Sequence, residues 1–176
     1  MLLDAVRIVR AEGHDVRVLL AGDGTARQAL ESQARTAGLA DSVVFTGRIP
    51  RDEVVSYREA LDLFVVPRHD RPVTRTVSPL KPIEAMASGR PLLVSALPPL
   101  LETIGDELTH AEAAVAAGEP AAWASRIIAL MSDPQLRERL ASLGRVRAED
   151  RTWTSIGERY RDAFHGIGSE PAVWDH

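Results

Sequence analysis

The chain has 176 residues, of which 45% are hydrophobic and 26% are charged, with a formal net charge of −4 and no cysteine. This length supports one domain with a substantial hydrophobic core, and the composition is that of a globular protein. The acidic balance disfavours a nucleic-acid partner, and the lack of cysteine excludes disulfide bonds and thiolate metal sites.

The first part of the chain reads as helices alternating with strands. Apolar residues recur at helical spacing from Leu2 and stop at Gly13, which predicts a helix with a glycine C-cap. The apolar run at 16–24 predicts a buried parallel strand that ends in a glycine-rich turn. Residues 25–37 follow as a second helix with Thr25 as its N-cap.

This alternation continues and then gives way to helices alone. Strands are predicted at 43–47, 62–67 and 91–95, and helices at 51–61, 82–88, 120–133, 134–149 and 152–167. Strands that alternate with helices through short connections form right-handed βαβ units. We therefore predict an α/β fold over residues 1–168, with a doubly wound, Rossmann-like parallel sheet flanked by helices, an all-helical C-terminal end, and a polar tail at 169–176.

Ligands bind beyond the carboxyl ends of the strands in such a sheet, which directs attention to the loops after Leu20, Thr46, Val66 and Ser95. The first of these loops, Gly22, Asp23 and Gly24, could present backbone N–H groups to an anion. It is equally well explained as a tight turn that needs the backbone freedom of glycine. Gly47 and Arg48 follow the next strand, where Arg48 is either a ligand contact or a solvated charge.

The segment 76-TVSPLKPIEAMASGRPLLVS-95 carries the strongest signal. Pro79 and Pro82 predict an extended loop that ends where Glu84 enters a helix. A carboxylate in a first helical turn can simply complement the helix dipole, which is worth about 0.3–1 kcal/mol. In a cleft it can instead accept two hydrogen bonds from the hydroxyls of a ribose or a sugar, while Lys81 and nearby backbone N–H groups hold a phosphate.

Five segments in this order resemble a known family: 16-VRVLLAGDG, 43-VVFTGRIP, 62-DLFVVP, 84-EAMASGRPLLVS and 153-WTSIGERYRDAF. Together they resemble the donor-binding half of retaining glycosyltransferases of family 4, which have the GT-B architecture. The resemblance covers nearly the whole chain. It implies a nucleotide-diphosphate sugar as the donor, with UDP and GDP among the candidate nucleotides, and it implies that no metal or other cofactor is used.

The resemblance also implies roles for individual residues. Glu84 matches the glutamate that binds the ribose hydroxyls. The residues expected beside the base are Gly47, Arg48 and Ile49; those beside the donor are Gly22, Asp23 and Gly24; and those near the diphosphate and sugar are Ser78, Pro79 and Leu80.

Thr76 is the first departure from the family pattern. Family members usually have a second glutamate at this place, where it contacts the donor sugar near the reacting carbon. Here the site is either a variant or one that has lost transfer. In a variant site, Lys81 or Arg75 would neutralise the phosphate charge.

The second departure concerns the central strand. Family members have an additional strand, followed by a Gly-Arg…Lys-Gly loop, before the helix that matches the predicted first helix of this chain. Without it, strands 16–20 and 62–66 lack the neighbour they would share, and the acceptor-binding half is missing too. We therefore expect a fragment or one half of a split enzyme that is inactive alone. A final helix with Trp153, Ile156, Tyr160 and Phe164 partly uncovered is expected as well.

Three functions follow from these observations. The first is the donor-binding half of a retaining glycosyltransferase that acts on a glycan, a lipid or a small molecule. The second is a nucleotide-sugar binding or regulatory module without transfer activity, and the third is an α/β scaffold for protein contacts. No apolar run approaches the length of a membrane span, so we expect a cytoplasmic protein, with peripheral membrane contact left open.

Overall fold

Helices and strands alternate through most of residues 1–168, the part of the chain that the computed structural model describes. The helices are α1 (Leu2–Ala11), α2 (Arg27–Thr36), α3 (Val54–Glu59), α4 (Lys81–Ala87), α5 (Pro98–His110), α6 (Pro120–Ser132), α7 (Pro134–Glu149) and α8 (Trp153–Gly168). The strands are β1 (Val18–Ala21), β2 (Val43–Gly47), β3 (Phe64–Val66), β4 (Leu92–Ser95) and β5 (Ala114–Val115). The predicted α/β class is confirmed, and the predicted polar tail at 169–176 lies outside the described residues.

All strand pairs in the two sheets are parallel, as predicted. The prediction that β1 is buried is wrong, because Val18, Leu19 and Leu20 are half-buried and Ala21 is exposed. Strand β1 pairs with β2, and β4 lies between β3 and β5 in the second sheet. Within residues 1–168, β1 and β3 each have a partner on one edge only. The two strands therefore each offer a free row of backbone N–H and C=O groups.

The core surrounds the three-stranded sheet. All four residues of β4 are buried, as expected for the central strand of a parallel sheet that has helices on both faces. Trp123 of α6 is fully buried, and its indole N–H donates to the carbonyl of Ala116 at 3.1 Å. The loops that follow β3 and β4 thus extend from the buried core of the molecule.

Two predicted helix starts are wrong. Helix α2 begins at Arg27, because the Arg27 N–H donates to the Gly24 carbonyl at 3.0 Å and residues 25–26 form a turn. Ala26 occupies the N-cap position and no side chain caps it, so the prediction of Thr25 as the N-cap is wrong. Helix α3 begins at Val54, after a turn over residues 51–53.

The loop before α4 is also less extended than predicted. A 3-10 helix spans Pro72–Arg75, and Leu80 already lies in the helical region, with φ −75° and ψ −22°. Helix α4 begins at Lys81 because Pro82 then falls in the first turn, where no helical N–H is needed. Glu84 nevertheless lies in the first turn of the helix, as predicted.

Helix α8 leaves its aromatic residues uncovered, as expected from the sequence. Trp153, Tyr160 and Phe164 are 83%, 64% and 70% exposed, and Ile156 is half-buried. None of the helices formed by residues 1–168 combines the length and the hydropathy required to cross a membrane.

Candidate functional site

Glu84 projects from the exposed side of α4. Its N–H donates to the Leu80 carbonyl at 3.1 Å, and its own carbonyl accepts a hydrogen bond from Arg58 Nη1 at 3.3 Å. The Glu84 side chain is exposed, and within residues 1–168 its carboxylate has no ion pair or hydrogen bond. Both carboxylate oxygens are therefore available to a ligand.

The opposite side of α4 fixes the helix in place. Ala85 and Met86 are fully buried, and α7 packs on α4 so closely that a Cβ atom on Gly144 would lie 3.3 Å from Met86 Cγ. Lys81 lies one turn before Glu84 and is also exposed. Residues three apart on a helix share a face, so the amine of Lys81 and the carboxylate of Glu84 project from the same side.

The loop between β3 and α4 is tied to the end of β4. Ser95, which is fully buried, accepts a hydrogen bond from the Arg68 N–H at 2.7 Å and donates one to the Arg68 carbonyl at 2.9 Å. The guanidinium of Arg68 in turn donates to the Val77 carbonyl at 3.1 Å. A hydrogen bond therefore joins the beginning of the loop, at Arg68, to Val77, the residue before Ser78.

The far end of the same loop is tied to α5. The hydroxyl oxygens of Ser78 and Thr103 are 2.8 Å apart, and Thr103 donates to the Pro99 carbonyl at 2.6 Å. Because a threonine hydroxyl has a single proton, Ser78 must be the donor in the bond between the two hydroxyls. Thr103 is 2% exposed.

Arg75 is already paired within this loop. Its guanidinium makes a two-pronged ion pair with the carboxylate of Asp70, which lowers the pKa of Asp70 and raises that of Arg75. Among the described residues, Lys81 has no such ion pair. Thr76 is exposed, and its hydroxyl donates to the Val73 carbonyl at 3.2 Å.

A second group of predicted residues lies at the end of the two-stranded sheet. The Gly22 N–H donates to the Gly47 carbonyl at 2.8 Å, which joins the loop of Gly22, Asp23 and Gly24 to the loop of Gly47, Arg48 and Ile49. Asp23, Gly24 and Arg48 are exposed, whereas Ile49 is half-buried.

Arg27 lies across these two loops. The φ of Gly47 is +70°, a backbone conformation that favours glycine, and a Cβ atom there would lie 2.8 Å from Arg27 Nη1, so the Arg27 guanidinium would have to shift. Glu31 holds the guanidinium at 2.8 Å and Asp23 lies 3.7 Å from it, and these contacts raise the pKa of Arg27.

The structure thus assembles the predicted residues in two groups, one on each sheet. In the part of the chain that the structure describes, no hydrogen bond or ion pair joins the loops at Gly22 and Gly47 to the segment from Thr76 to Glu84. Two surface hollows of about 230 and 510 Å³ lie elsewhere, between α2 and β2 and along β5 and α6. The candidate site is therefore an open surface.

Sequence reasoning missed four residues that build the site: Arg58, Arg68, Ser95 and Thr103. Ser95 ends a predicted strand, so its position was a signal that it lies at the ligand-binding edge of the sheet. The other three act through partners that are distant in the sequence, which no local pattern reveals. No group of metal-binding side chains occurs among residues 1–168.

Known proteins resemble this chain in sequence and in fold. The model of the family described as glycosyl transferases group 1 matches residues 1–147. The 2-deoxystreptamine glucosyltransferase of Streptomyces kanamyceticus is 31% identical over 132 residues, which are 75% of this chain and 32% of that protein. The chain spans 32%, 35% and 43% of the length of three curated relatives that it matches.

Two solved structures extend the likeness to the fold. Sucrose-phosphate synthase from Thermosynechococcus elongatus superposes with a TM-score of 0.75 at 27% identity, over 94% of this chain and 43% of that one. Anabaena HepE in complex with UDP superposes with a TM-score of 0.72 at 22% identity, over 94% of this chain and 44% of that one. At 22% identity, the second likeness is one of fold.

Proposed function

The chain belongs to the glycosyl transferases group 1 family, and we propose that it is the donor-binding part of a retaining glycosyltransferase. The proposed enzyme moves a sugar from a nucleotide-diphosphate sugar to a glycan, a lipid or a small-molecule acceptor. The observation that carries this proposal is the exposed, unpaired carboxylate of Glu84 at the start of a helix that is rigidly packed on its other side.

Glu84 is proposed to bind the ribose of the donor. A carboxylate is an acceptor with two oxygens, so it can take one hydrogen bond from each hydroxyl of a ribose diol. The backbone carbonyl of Glu84 accepts a hydrogen bond from Arg58, and α4 packs on α7. Glu84 therefore loses little conformational entropy when the ligand binds. Preorganisation of this kind lowers the cost of binding.

Lys81 is proposed to contact the diphosphate. It projects from the same side of α4 as Glu84 and has no partner ion among the described residues, whereas Arg75 is neutralised by Asp70. The helix dipole of α4 adds positive potential near Lys81. Positive groups of this kind stabilise a departing diphosphate, and we propose that no metal is used.

The second group of residues is proposed to hold the rest of the donor. In this scheme Gly47, Arg48 and Ile49 lie against the base, and the loop from Gly22 to Gly24 lies beside the donor. The hydrogen bond between Gly22 and Gly47 supports the scheme, because it makes the two loops one surface.

Catalysis would rest on positioning and on stabilisation of the leaving diphosphate. Thr76 stands where family members usually have a sugar-contacting acid, and its hydroxyl is engaged with Val73. We therefore assign no protein nucleophile to the reaction.

The active enzyme is proposed to include an acceptor-binding half and one further strand outside residues 1–168. Two observations support this: β1 and β3 each have a free edge within the described residues, and the chain spans less than half the length of its relatives. A parallel strand between β1 and β3 would join the two sheets into one. The isolated chain is then inactive, and sugar transfer by the purified 176-residue chain would contradict this part of the proposal.

The proposal is tested by thermal melts of the chain with UDP, GDP or ADP. UDP is the first choice because a structure of the same fold contains it. A ligand at a hundred times its dissociation constant adds about 2.7 kcal/mol, which raises the melting temperature by roughly 5–11 °C at this size. We expect one nucleotide to raise the melting temperature by this amount in the wild type and much less in Glu84→Gln. The control variant Glu107→Gln, which changes an exposed glutamate on α5, should behave like the wild type. An equal shift in Glu84→Gln would place the nucleotide elsewhere.

The second candidate, a nucleotide-sugar binding or regulatory module, is favoured by Thr76 alone. It predicts nucleotide binding that depends on Glu84, with no transfer even when the acceptor-binding half is present. A transfer assay on the assembled protein, with and without Thr76→Glu, separates the two candidates. Sugar transfer by the assembled protein with Thr76 unchanged would exclude the second candidate, the binding or regulatory module without transfer activity.

A further inference from the structure

We propose that Ser95 and Thr103 are positioning residues that hold the loop of residues 68–81 in its donor-binding conformation without contacting the donor. This inference rests on the proposed function. We call the segment the clamped loop, because each end of it is fastened by one of these two hydroxyls.

Both positioning residues are buried. Ser95 and Thr103 are 0% and 2% exposed, and Ser42 completes the set of buried polar residues in the described part of the chain. A buried hydroxyl costs free energy unless it is hydrogen-bonded. Two of the three buried polar side chains in the described residues therefore hydrogen-bond to this one surface loop.

Ser95 fastens the beginning of the clamped loop. Its hydroxyl makes both of its hydrogen bonds to one residue, Arg68, through the N–H and the carbonyl. With the backbone of Arg68 fixed to the end of β4, its side chain can reach the Val77 carbonyl. Through Arg68, Ser95 thereby helps to fix Val77, which lies nine residues after Arg68.

Thr103 fastens the end of the loop that leads into α4. The Ser78 hydroxyl donates to Thr103, whose own proton goes to Pro99. The Ser78 proton is therefore unavailable to a phosphate, and any donor contact from this part of the loop must come from backbone N–H groups or from Lys81. Ser78 contributes through the loop conformation.

Helix α7 supports Thr103 from behind. Arg147 Nη2 donates to the Glu102 carbonyl at 2.8 Å, and Arg147 Nε donates to the Thr103 carbonyl at 3.2 Å. The same helix packs on α4, which carries Lys81 and Glu84. One element thus sets the position of Thr103, and through it Ser78, relative to the proposed ribose and phosphate contacts.

The test uses Thr103→Val, which keeps the shape and removes the hydroxyl, and Thr103→Ser, which keeps the hydroxyl. Dissociation constants for UDP, GDP and ADP are measured by calorimetry on the full chain, and hydrogen exchange is followed in the peptide covering 68–81. We expect Thr103→Val to weaken nucleotide binding about tenfold and to speed exchange in that peptide, and Thr103→Ser to resemble the wild type. A merely structural role would not give this rescue.

Ser78→Ala removes the same hydrogen bond from the exposed side, so the proposal stays testable if Thr103→Val does not fold. A double-mutant cycle separates positioning from contact: if Ser78 acts through Thr103, the double variant binds no more weakly than either single variant. Independent, additive losses would mean that Ser78 touches the nucleotide, and would overturn the proposal. A twofold or smaller change in both single variants would overturn it too.

The failure of this inference can be told from failure of the proposed function. If Glu84→Gln weakens binding while Thr103→Val and Ser78→Ala do not, the donor site stands and the positioning role falls. If the assembled protein, with its acceptor-binding half, binds none of the three nucleotides, the proposed function falls and this inference falls with it.

Discussion

Trp123 offers the sharpest test of where the core lies. Its side chain is fully buried in α6, and its indole N–H donates to the Ala116 carbonyl. Trp123→Ala removes a large buried side chain, which costs about 3–5 kcal/mol in comparable cores. At roughly 2–4 °C per kcal/mol for a chain of this size, the melting temperature should fall by about 6–20 °C. Trp123→Phe keeps most of the volume but leaves the Ala116 carbonyl unpaired, so it should cost about 1–3 kcal/mol.

Trp153 is the matched control for this measurement. It is the same residue type, but it is 83% exposed at the start of α8. Surface substitutions usually change stability by no more than about 0.5 kcal/mol. Urea and thermal unfolding, followed by circular dichroism, should therefore separate Trp123→Ala from Trp153→Ala by several kcal/mol. Equal losses in the two variants would refute the assignment of the core to the three-stranded sheet and α6.

Two further predictions concern charges near Glu84. Lys81→Met should weaken the binding of a nucleoside diphosphate about five- to tenfold, because it removes an unpaired cation, and this loss should be smaller at high salt. Arg75→Met should change the dissociation constant less than twofold when it is measured by the same calorimetry. The reverse order would exclude Lys81 as the phosphate contact. Arg75 holds the pKa of Asp70 below its ordinary value of 3.8, so the ion pair stabilises the folded loop above about pH 3.8 and loses this effect as the pH falls through the folded pKa. Carboxyl NMR titration should show that pKa return towards 3.8 in Arg75→Met, and an unchanged value would show that the pair does not form in solution.

Much of the fold could be predicted because strands β1 to β4 each carry a local sequence signal. The run 43-VVFTG-47 matches β2 at both ends, since β-branched and aromatic residues bounded by a glycine read as a buried strand. Besides the 3-10 helix over Pro72–Arg75, two elements escaped prediction for physical reasons. No element is predicted between residues 96 and 119, yet α5 begins at Pro98 and Pro99, because proline is favoured in the first turn of a helix. Strand β5 has only two residues, and its pairing with β4 alone defines it.

The candidate site divides in the same way. The position of Glu84 in the first turn of a helix could be predicted, because it depends on neighbours in the sequence: the prolines before it, the helix that contains it and the strand that follows. Ser95 could be placed at the end of a predicted strand, but the hydrogen bonds of Ser95 and Thr103 could not be predicted, because their partners Arg68 and Ser78 are 27 and 25 residues away. Nothing in a local pattern distinguishes a serine that fastens a distant loop from one that simply ends a strand.

The division of the site between two sheets has a thermodynamic consequence for the proposed function. The loops at Gly22 and Gly47 belong to the sheet of β1 and β2, whereas Glu84 and the clamped loop belong to the sheet of β3, β4 and β5. A donor that contacts both groups binds best when the sheets are fixed at one separation. A strand that pairs with both β1 and β3 would fix the separation of the two sheets. Strand pairing and donor binding would then favour the same state, so each would increase the affinity of the other. The affinity of the isolated chain for a nucleotide is therefore a lower bound on that of the assembled protein.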